Sequence, residues 1–333
     1  MRIDLHCHYV HPEAAEMASI LDPVRQEHAY IHANDLTRDV NRRQMQDRAQ
    51  LLSDVDARIA AMDRMGIDLQ AVSPSPFQYY YFAEADLGAR LARCVNDGIA
   101  ALVAARPDRL VGLGTVPLQD SAAAVRELDR AVGDLGLKGI QINGNVNGRN
   151  LTDPELDLEP FFARAAELGA IVFLHPNGFS DACRLTDHYF NNVIGNPLET
   201  TVAASHLIFD GVMERHPDLT VLLAHGGGYL AHYWARMDHA HAAREDCRTI
   251  ISDSPSTYLR RMYVDTVTFD PRMIRHLLDI HGADHVVLGT DFPYDMGEED
   301  PLGLINAVPG LTDAERTMIT GGTAARLLGL TPR

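Results

Sequence analysis

The chain has 333 residues, 46% of them hydrophobic and 23% charged, an ordinary balance for a folded protein with a sizeable core. A formal net charge of −17 excludes the concentrated basic face that phosphate backbones require, so no nucleic-acid partner is expected. Four scattered cysteines (Cys7, Cys94, Cys183, Cys247) with no CxxC pair fit reduced thiols of a cytoplasmic protein. With no signal-peptide core and no apolar run of spanning length, no membrane partner is expected either.

The first expected strand is Ile3–His8. Residues 9–53 follow, rich in His, Arg, Asp and Gln and too polar and aperiodic to form a core of their own. They are expected to be an insertion with short helices, since long connections in compact folds are usually functional or disordered. A helix over Asp54–Met65, with Asp54 as N-cap, leads to a strand at Leu69–Pro76. Then come a helix at Ala85–Ala105, a strand at Leu110–Pro117, and a helix at Ser121–Leu135 with Ser121 as N-cap. The remaining strands are Gly139–Asn143, Ile171–Pro176, Leu219–His225, Met262–Val267 and Val286–Pro293. Helical periodicity also marks Leu158–Leu168 and Pro271–Ile280, and residues 177–206 form a second long excursion.

Continuous apolar strands alternating with amphipathic helices predict an α/β fold, a (β/α)8 TIM barrel with an insertion after strand 1. It is expected to form a single barrel domain over 1–333, with 9–53 lying over the barrel mouth. An open doubly wound sheet would carry a glycine-rich phosphate loop after its first strand, and none follows Ile3–His8. Gly226–Gly228 lacks the context of such a loop and is a weak phosphate signal.

The chemistry-bearing residues stand at strand ends. His6 and His8, two apart on a strand, point to one face, which in a barrel is the lumen near its C-terminal mouth. His175 ends Phe-Leu-His-Pro, His225 ends Leu-Ala-His before three glycines, and Asp291 ends Leu-Gly-Thr-Asp. Imidazoles and a carboxylate delivered to one ring by four strands suit Zn2+ or another borderline divalent ion, with an open position for catalysis. Any one of 16 histidines is more often a hydrogen-bonded core or surface residue. His239 and His241, two apart on an expected helix, point to different faces and are read as solvated surface.

These motifs, Ile-Asp-Leu-His-Cys-His, Phe-Leu-His-Pro, Leu-Ala-His-Gly-Gly-Gly and Leu-Gly-Thr-Asp-Phe-Pro, resemble the metal-dependent amidohydrolase superfamily. More narrowly they resemble its decarboxylase branch, along nearly the whole chain. The resemblance implies that His6, His8, His175 and Asp291 hold one Zn2+, with Mn2+, Co2+ or Fe2+ also accommodated by such ligands. It implies an acid/base role for His225 beside a metal-activated water, with Asp291 also part of the catalytic set. It further implies that Arg236 reaches a neighbouring subunit's substrate carboxylate, which makes a homodimer or higher homo-oligomer. A second substrate arginine is implied in the insertion, where Arg38, Arg42, Arg43 and Arg48 compete and Arg43 is favoured.

The chain departs from the branch pattern at Asn177 and Tyr294, which flank the substrate and are taken as substrate-binding candidates. Lys138 stands at the wrong end of strand four for a two-metal site, and Asn143 occupies the useful end. The expected activity is non-oxidative decarboxylation of an unsaturated or aromatic carboxylic acid. A metal-dependent hydrolase or hydratase acting on a lactone, amide or C=C bond is the alternative. A barrel that binds metal without catalysis is a third reading, disfavoured because His225 adds a group that binding alone does not need.

Overall fold

The computed structural model describes residues 1–330; the last three residues of the expected domain, 331–333, lie outside the description. Eight parallel strands carry the fold: β1 (Ile3–Tyr9), β2 (Leu69–Pro74), β3 (Leu110–Gly112), β4 (Gly139–Ile142), β5 (Ile171–Leu174), β6 (Thr220–Leu223), β7 (Tyr263–Asp265) and β8 (Val286–Val287). β1, β2 and β3 pair in that order, and β4 to β8 pair in sequence. Parallel bridges Gly114↔Ile140 and Cys7↔Phe292 join the two groups at both edges, closing a (β/α)8 barrel.

Every strand except β1 is shorter than the sequence suggests, chiefly because its last residues leave the ladder. Those residues turn into the loops of the C-terminal mouth, where barrel sites form. Alternation explains the lumen: Leu69 and Ala71, Ile171 and Phe173, Leu222 and Ala224 form one buried inner cluster, while Val72, Val172 and Leu223 pack outward under the helices. In β1 the register shifts between Asp4 and Cys7. Ile3 and Leu5 therefore belong to the inner cluster, whereas Cys7 and Tyr9 belong to the outer one. That switch of parity keeps His6 and His8 on the lumen side above Ile3 and Leu5, a function bulges serve near active sites.

Around the barrel run α1 (Asp35–Asp47), α2 (Val55–Met65), α3 (Ala85–Ala105), α4 (Ser121–Asp129), α5 (Glu159–Leu168), α6 (Gly195–Phe209), α7 (Leu230–Ala243) and α8 (Pro271–His281). Asp54 caps α2 as expected, accepting from Ala57 N at 2.7 Å. The cap of α4 is Asp120, which accepts from Ala123 N at 2.8 Å, and not Ser121, whose hydroxyl donates to Asp157 O at 2.6 Å. That helix gives way at Arg130–Asp134 to a wider π-type turn. His239 is exposed, but His241 is half-buried and contacts Ile251 O at 3.3 Å. No helix among the described residues is long and apolar enough to cross a membrane, and the four cysteines are free.

Arg58 of α2 locks the helix layer to the barrel. It is 1% exposed, donates to Gln70 Oε1 at 2.9 Å and to the carbonyl of His8, and lies over the Phe292 ring. Burial lowers its pKa, against the pull of Cys7 and Asp4. Removing the guanidinium leaves those buried acceptors without a donor. Arg58→Ala is therefore expected to cost about 3 kcal/mol and to lower the thermal midpoint by several degrees in a calorimetric scan.

Candidate metal centre and substrate pocket

The structure brings His6, His8, His175 and Asp291 together: one ligand atom from each lies within 4.8 Å of all the others. His6 and His8 come from β1, His175 follows β5, and Asp291 follows β8. His6 Nε2 lies 3.2 Å from His8 Nε2, and Asp291 Oδ1 lies 3.0 Å from His8 Nε2 and 3.4 Å from His6 Nε2.

The Nδ1 atoms decide what the Nε2 atoms can do. His6 Nδ1 donates to Asp265 Oδ2 at 2.6 Å, His8 Nδ1 to Pro74 O at 3.1 Å, and His175 Nδ1 to Pro176 O at 2.9 Å. With the proton on Nδ1, a neutral imidazole presents a lone pair at Nε2. Three lone pairs and a carboxylate thus converge on one point, and His175 Nε2 is buried with no hydrogen-bond partner. Such a set repels itself unless a cation or proton stands at its centre. An ion about 2.0–2.1 Å from each ligand separates neighbouring ligand atoms by about 3.0–3.4 Å, which matches the spacings among His6, His8 and Asp291; with His175 Nε2 within 4.8 Å of them, the residues fit a divalent ion.

Electrostatics agree. Burial pushes the His6 imidazolium down, but the carboxylates of Asp265 and then Asp291 outweigh it and raise its pKa to about 10. Burial and the neighbouring imidazoles hold His175 well below the usual histidine range, and burial likewise lowers His8. Burial works to raise Asp291, yet hydrogen bonds from His225, His6 and His8 keep it well below the usual carboxylate range. Without metal, His6 holds the proton that an ion must displace.

His225 stands beside the cluster, half-buried, its Nε2 3.7 Å from Asp291 Oδ2. It and Asp291 both adopt left-handed backbone, φ 56° and 58°, uncommon for residues with a Cβ and a mark of strain often found at functional sites. Asp265 on β7 holds the arrangement from beneath and was not singled out by the sequence reading. Its carboxylate accepts from His6 Nδ1, His225 N, Gly226 N and Val267 N. The signal was there: an acid inside the expected strand Met262–Val267. Tyr79 and Gln141 were also unforeseen; Tyr79 Oη donates to His175 O at 2.9 Å and accepts from Gln141 Nε2 at 2.7 Å.

A pocket opens over His175, His225 and Asp291, a concave site of the kind that takes a small ligand. Tyr30, Phe77, Tyr189 and Tyr294 give it aromatic walls, and Asn177 and Asn196 give it polar ones. The Tyr294 ring lies 5.4 Å from that of His8, and its hydroxyl is 2.5 Å from Ser75 Oγ. Segment 9–53 supplies one side, through Tyr30 and through Thr37, Asn41, Gln44 and Met45 of α1. That spacing is one face of a helix. Arg43 lies off it: exposed, with its Nε nearest the carbonyl of Asp39 at 3.4 Å. Its neighbour Gln44, about 100° around the helix, is on the lining face. Arg236 is exposed on α7 and does not line the pocket of its own chain. Neither Lys nor Arg is among the described residues that do.

Asp265→Asn removes the charge that fixes His6. It is expected to weaken binding of a divalent ion about 10–100-fold, measured by competition with a chelating dye. Because the ion displaces a proton held by His6 up to about pH 10, wild-type affinity rises with pH across the neutral range. In Asp265→Asn the proton is held less tightly and that rise becomes shallower.

Three comparisons place the chain among known proteins. It is 37% identical over 280 residues to the 2-amino-3-carboxymuconate-6-semialdehyde decarboxylase of Dictyostelium discoideum, covering 84% of this chain and 77% of that one. It is 30% identical over 302 residues to the gamma-resorcylate decarboxylase of Rhizobium radiobacter, covering 85% and 89%. The crystal structure of 5-carboxyvanillate decarboxylase from Sphingomonas paucimobilis superposes with a TM-score of 0.88 at 28% identity, covering 99% of each chain. The family model described as Amidohydrolase matches residues 3–330, and the chain belongs to that family, in its branch of metal-dependent decarboxylases.

Proposed function

We propose that this enzyme, a non-oxidative carboxy-lyase acting on an aromatic or otherwise unsaturated acid, works with one divalent ion held by His6, His8, His175 and Asp291. The observation that carries the reading is the convergence of three imidazole Nε2 atoms and one carboxylate, each imidazole locked by an acceptor at Nδ1. We favour Zn2+, which suits three nitrogens and one oxygen, over Mn2+, Co2+ or Fe2+. When bound, the ion supplies positive charge that polarises substrate oxygens.

The chain's own residues do the rest. The aromatic walls hold a flat ring, and the amides orient its polar groups. The substrate carbon that bears the carboxylate takes up a proton, its bond to the carboxylate breaks, and that electron pair returns to the π system as CO2 leaves. His225, facing Asp291 across 3.7 Å, is placed to hold and deliver that proton. The relatives named above are decarboxylases, which favours loss of CO2 over the hydrolase or hydratase alternative.

The chain is proposed to be one barrel unit in which residues 9–53 cover the mouth, as their share of the cavity wall supports. A homodimer or higher homo-oligomer is proposed, with Arg236 offered to the partner copy's substrate carboxylate, since its guanidinium faces outward and an arginine fork suits a carboxylate.

Metal analysis of the purified protein should find about one equivalent of a divalent ion, lost in His6→Ala and Asp291→Ala. Hydroxybenzoates and unsaturated acids should then be screened for CO2 release. His225→Ala is expected to keep the ion and lose roughly 10²–10⁴-fold in kcat; a His225→Ala enzyme with full turnover would remove that residue from the mechanism. Arg236→Ala should raise KM without changing the metal content, and Arg43→Ala should do neither.

A further inference from the structure

Asn177 lies two residues beyond His175, on the turn that leaves β5. It lines the pocket although only 4% exposed. Its main-chain N–H donates to Asn143 Oδ1 at 3.1 Å, and its Nδ2 donates to Glu27 Oε2 at 2.7 Å. Glu27 comes from segment 9–53, and burial raises its carboxyl to about 8, against the Asn177 bond. Whether charged or neutral, a carboxyl offers an acceptor oxygen to Nδ2. With Nδ2 tied there, Oδ1 must point elsewhere, and among the described residues no donor reaches it. A pocket acceptor left without a donor when a ligand excludes water loses its solvation with nothing in exchange.

We propose that Asn177 Oδ1 is a specificity-determining acceptor for a hydroxyl or amino hydrogen on the substrate, and that Glu27 is the positioning residue that fixes the amide in this sense. The inference deepens the decarboxylase reading and rests on it. It selects acids whose ring carries a hydrogen-bond donor over otherwise identical acids that carry a methoxy group there, because the latter leave the acceptor unpaired.

The test compares kcat/KM for hydroxybenzoates and their methoxy counterparts in the metal-loaded wild type, Asn177→Ala, Glu27→Ala and Glu27→Gln. The wild type should prefer the hydroxy acid by about 10–100-fold. Asn177→Ala should lose far more rate on the hydroxy than on the methoxy acid, collapsing the ratio. Glu27→Ala should reduce the ratio in the same direction, and Glu27→Gln, whose amide oxygen still accepts from Nδ2, should restore it. Equal losses on both acids, or an unchanged ratio in Asn177→Ala, would overturn the proposal. If wild-type protein releases no CO2 from any acid, the decarboxylase reading fails separately. Calorimetric affinities of wild type and Asn177→Ala for the same acid pairs then decide the role of Asn177 by the same ratio.

Discussion

A carboxylate with no exposure to water, Asp265, sets the geometry on which the rest of the site depends. An unpartnered buried carboxylate costs several kcal/mol, and here four donors within 3.0 Å remove that cost. They come from the His6 ring on β1, from the main chain of His225 and Gly226 after β6, and from Val267 just beyond β7. One acid therefore joins three strands, fixes the tautomer of His6 and turns the chain so that His225 faces the mouth. Burial pushes its pKa up, and the His6 charge ahead of its hydrogen bond pulls it below the usual carboxylate range. The glycine run Gly226–Gly228 follows from the same turn. All three have positive φ, and a Cβ on Gly226 would meet Thr268 Cγ2 at 2.6 Å, one on Gly228 the carbonyl of Pro197 at 2.3 Å. Close packing, not phosphate binding, explains those glycines.

The imidazole cluster shows how the fold builds a cation site from neutral parts. Each Nδ1 is held by an acceptor that the barrel itself supplies: a carboxylate from β7, the carbonyl ending β2, and a carbonyl just after β5. The same carbonyl of Pro74 also accepts from Gln141 Nε2 at 2.9 Å, so the lumen polar groups cross-link neighbouring strands while aiming the ligands. Rigid elements rather than loops hold His6 and His8, which is what precise ligand geometry requires.

The barrel was legible because parallel strands buried on both faces leave long apolar runs, and the converging imidazoles and carboxylate because they stand at or near the ends of those runs. What stayed hidden is the phase of residues that no apolar pattern fixes. α1 has no buried residue, so it carries no apolar stripe from which to tell which of its residues face the pocket. Simple alternation would have put His6 and His8 opposite Ile3 and Leu5; only the register shift in β1 reconciles both with the lumen. Asp120 and Ser121 are both good caps by type, and the choice between them turned on the contact that Ser121 makes with Asp157 instead. Partners far apart in sequence, such as Glu27 and Asn177, leave no local signal at all.

The polarity of residues 9–53, which argued against a core, suits a segment that lines the pocket rather than packing a core. Beyond the Glu27–Asn177 contact, this segment meets the loop after β5 through Asn191 Nδ2 to His28 O at 3.0 Å, His32 Nε2 to Ser180 O at 3.0 Å, and Asn34 Nδ2 to Asp187 Oδ1 at 3.1 Å. Water can replace each such bond at a net cost of only about 0.5–1.5 kcal/mol, whereas separating an apolar seam of the same extent exposes surface that water cannot satisfy. The contact between the two segments is thus a polar seam of directional bonds, each cheap to exchange with water. The apolar work of the fold stays in the barrel beneath, where Ile3, Leu5, Phe173 and Leu222 are buried.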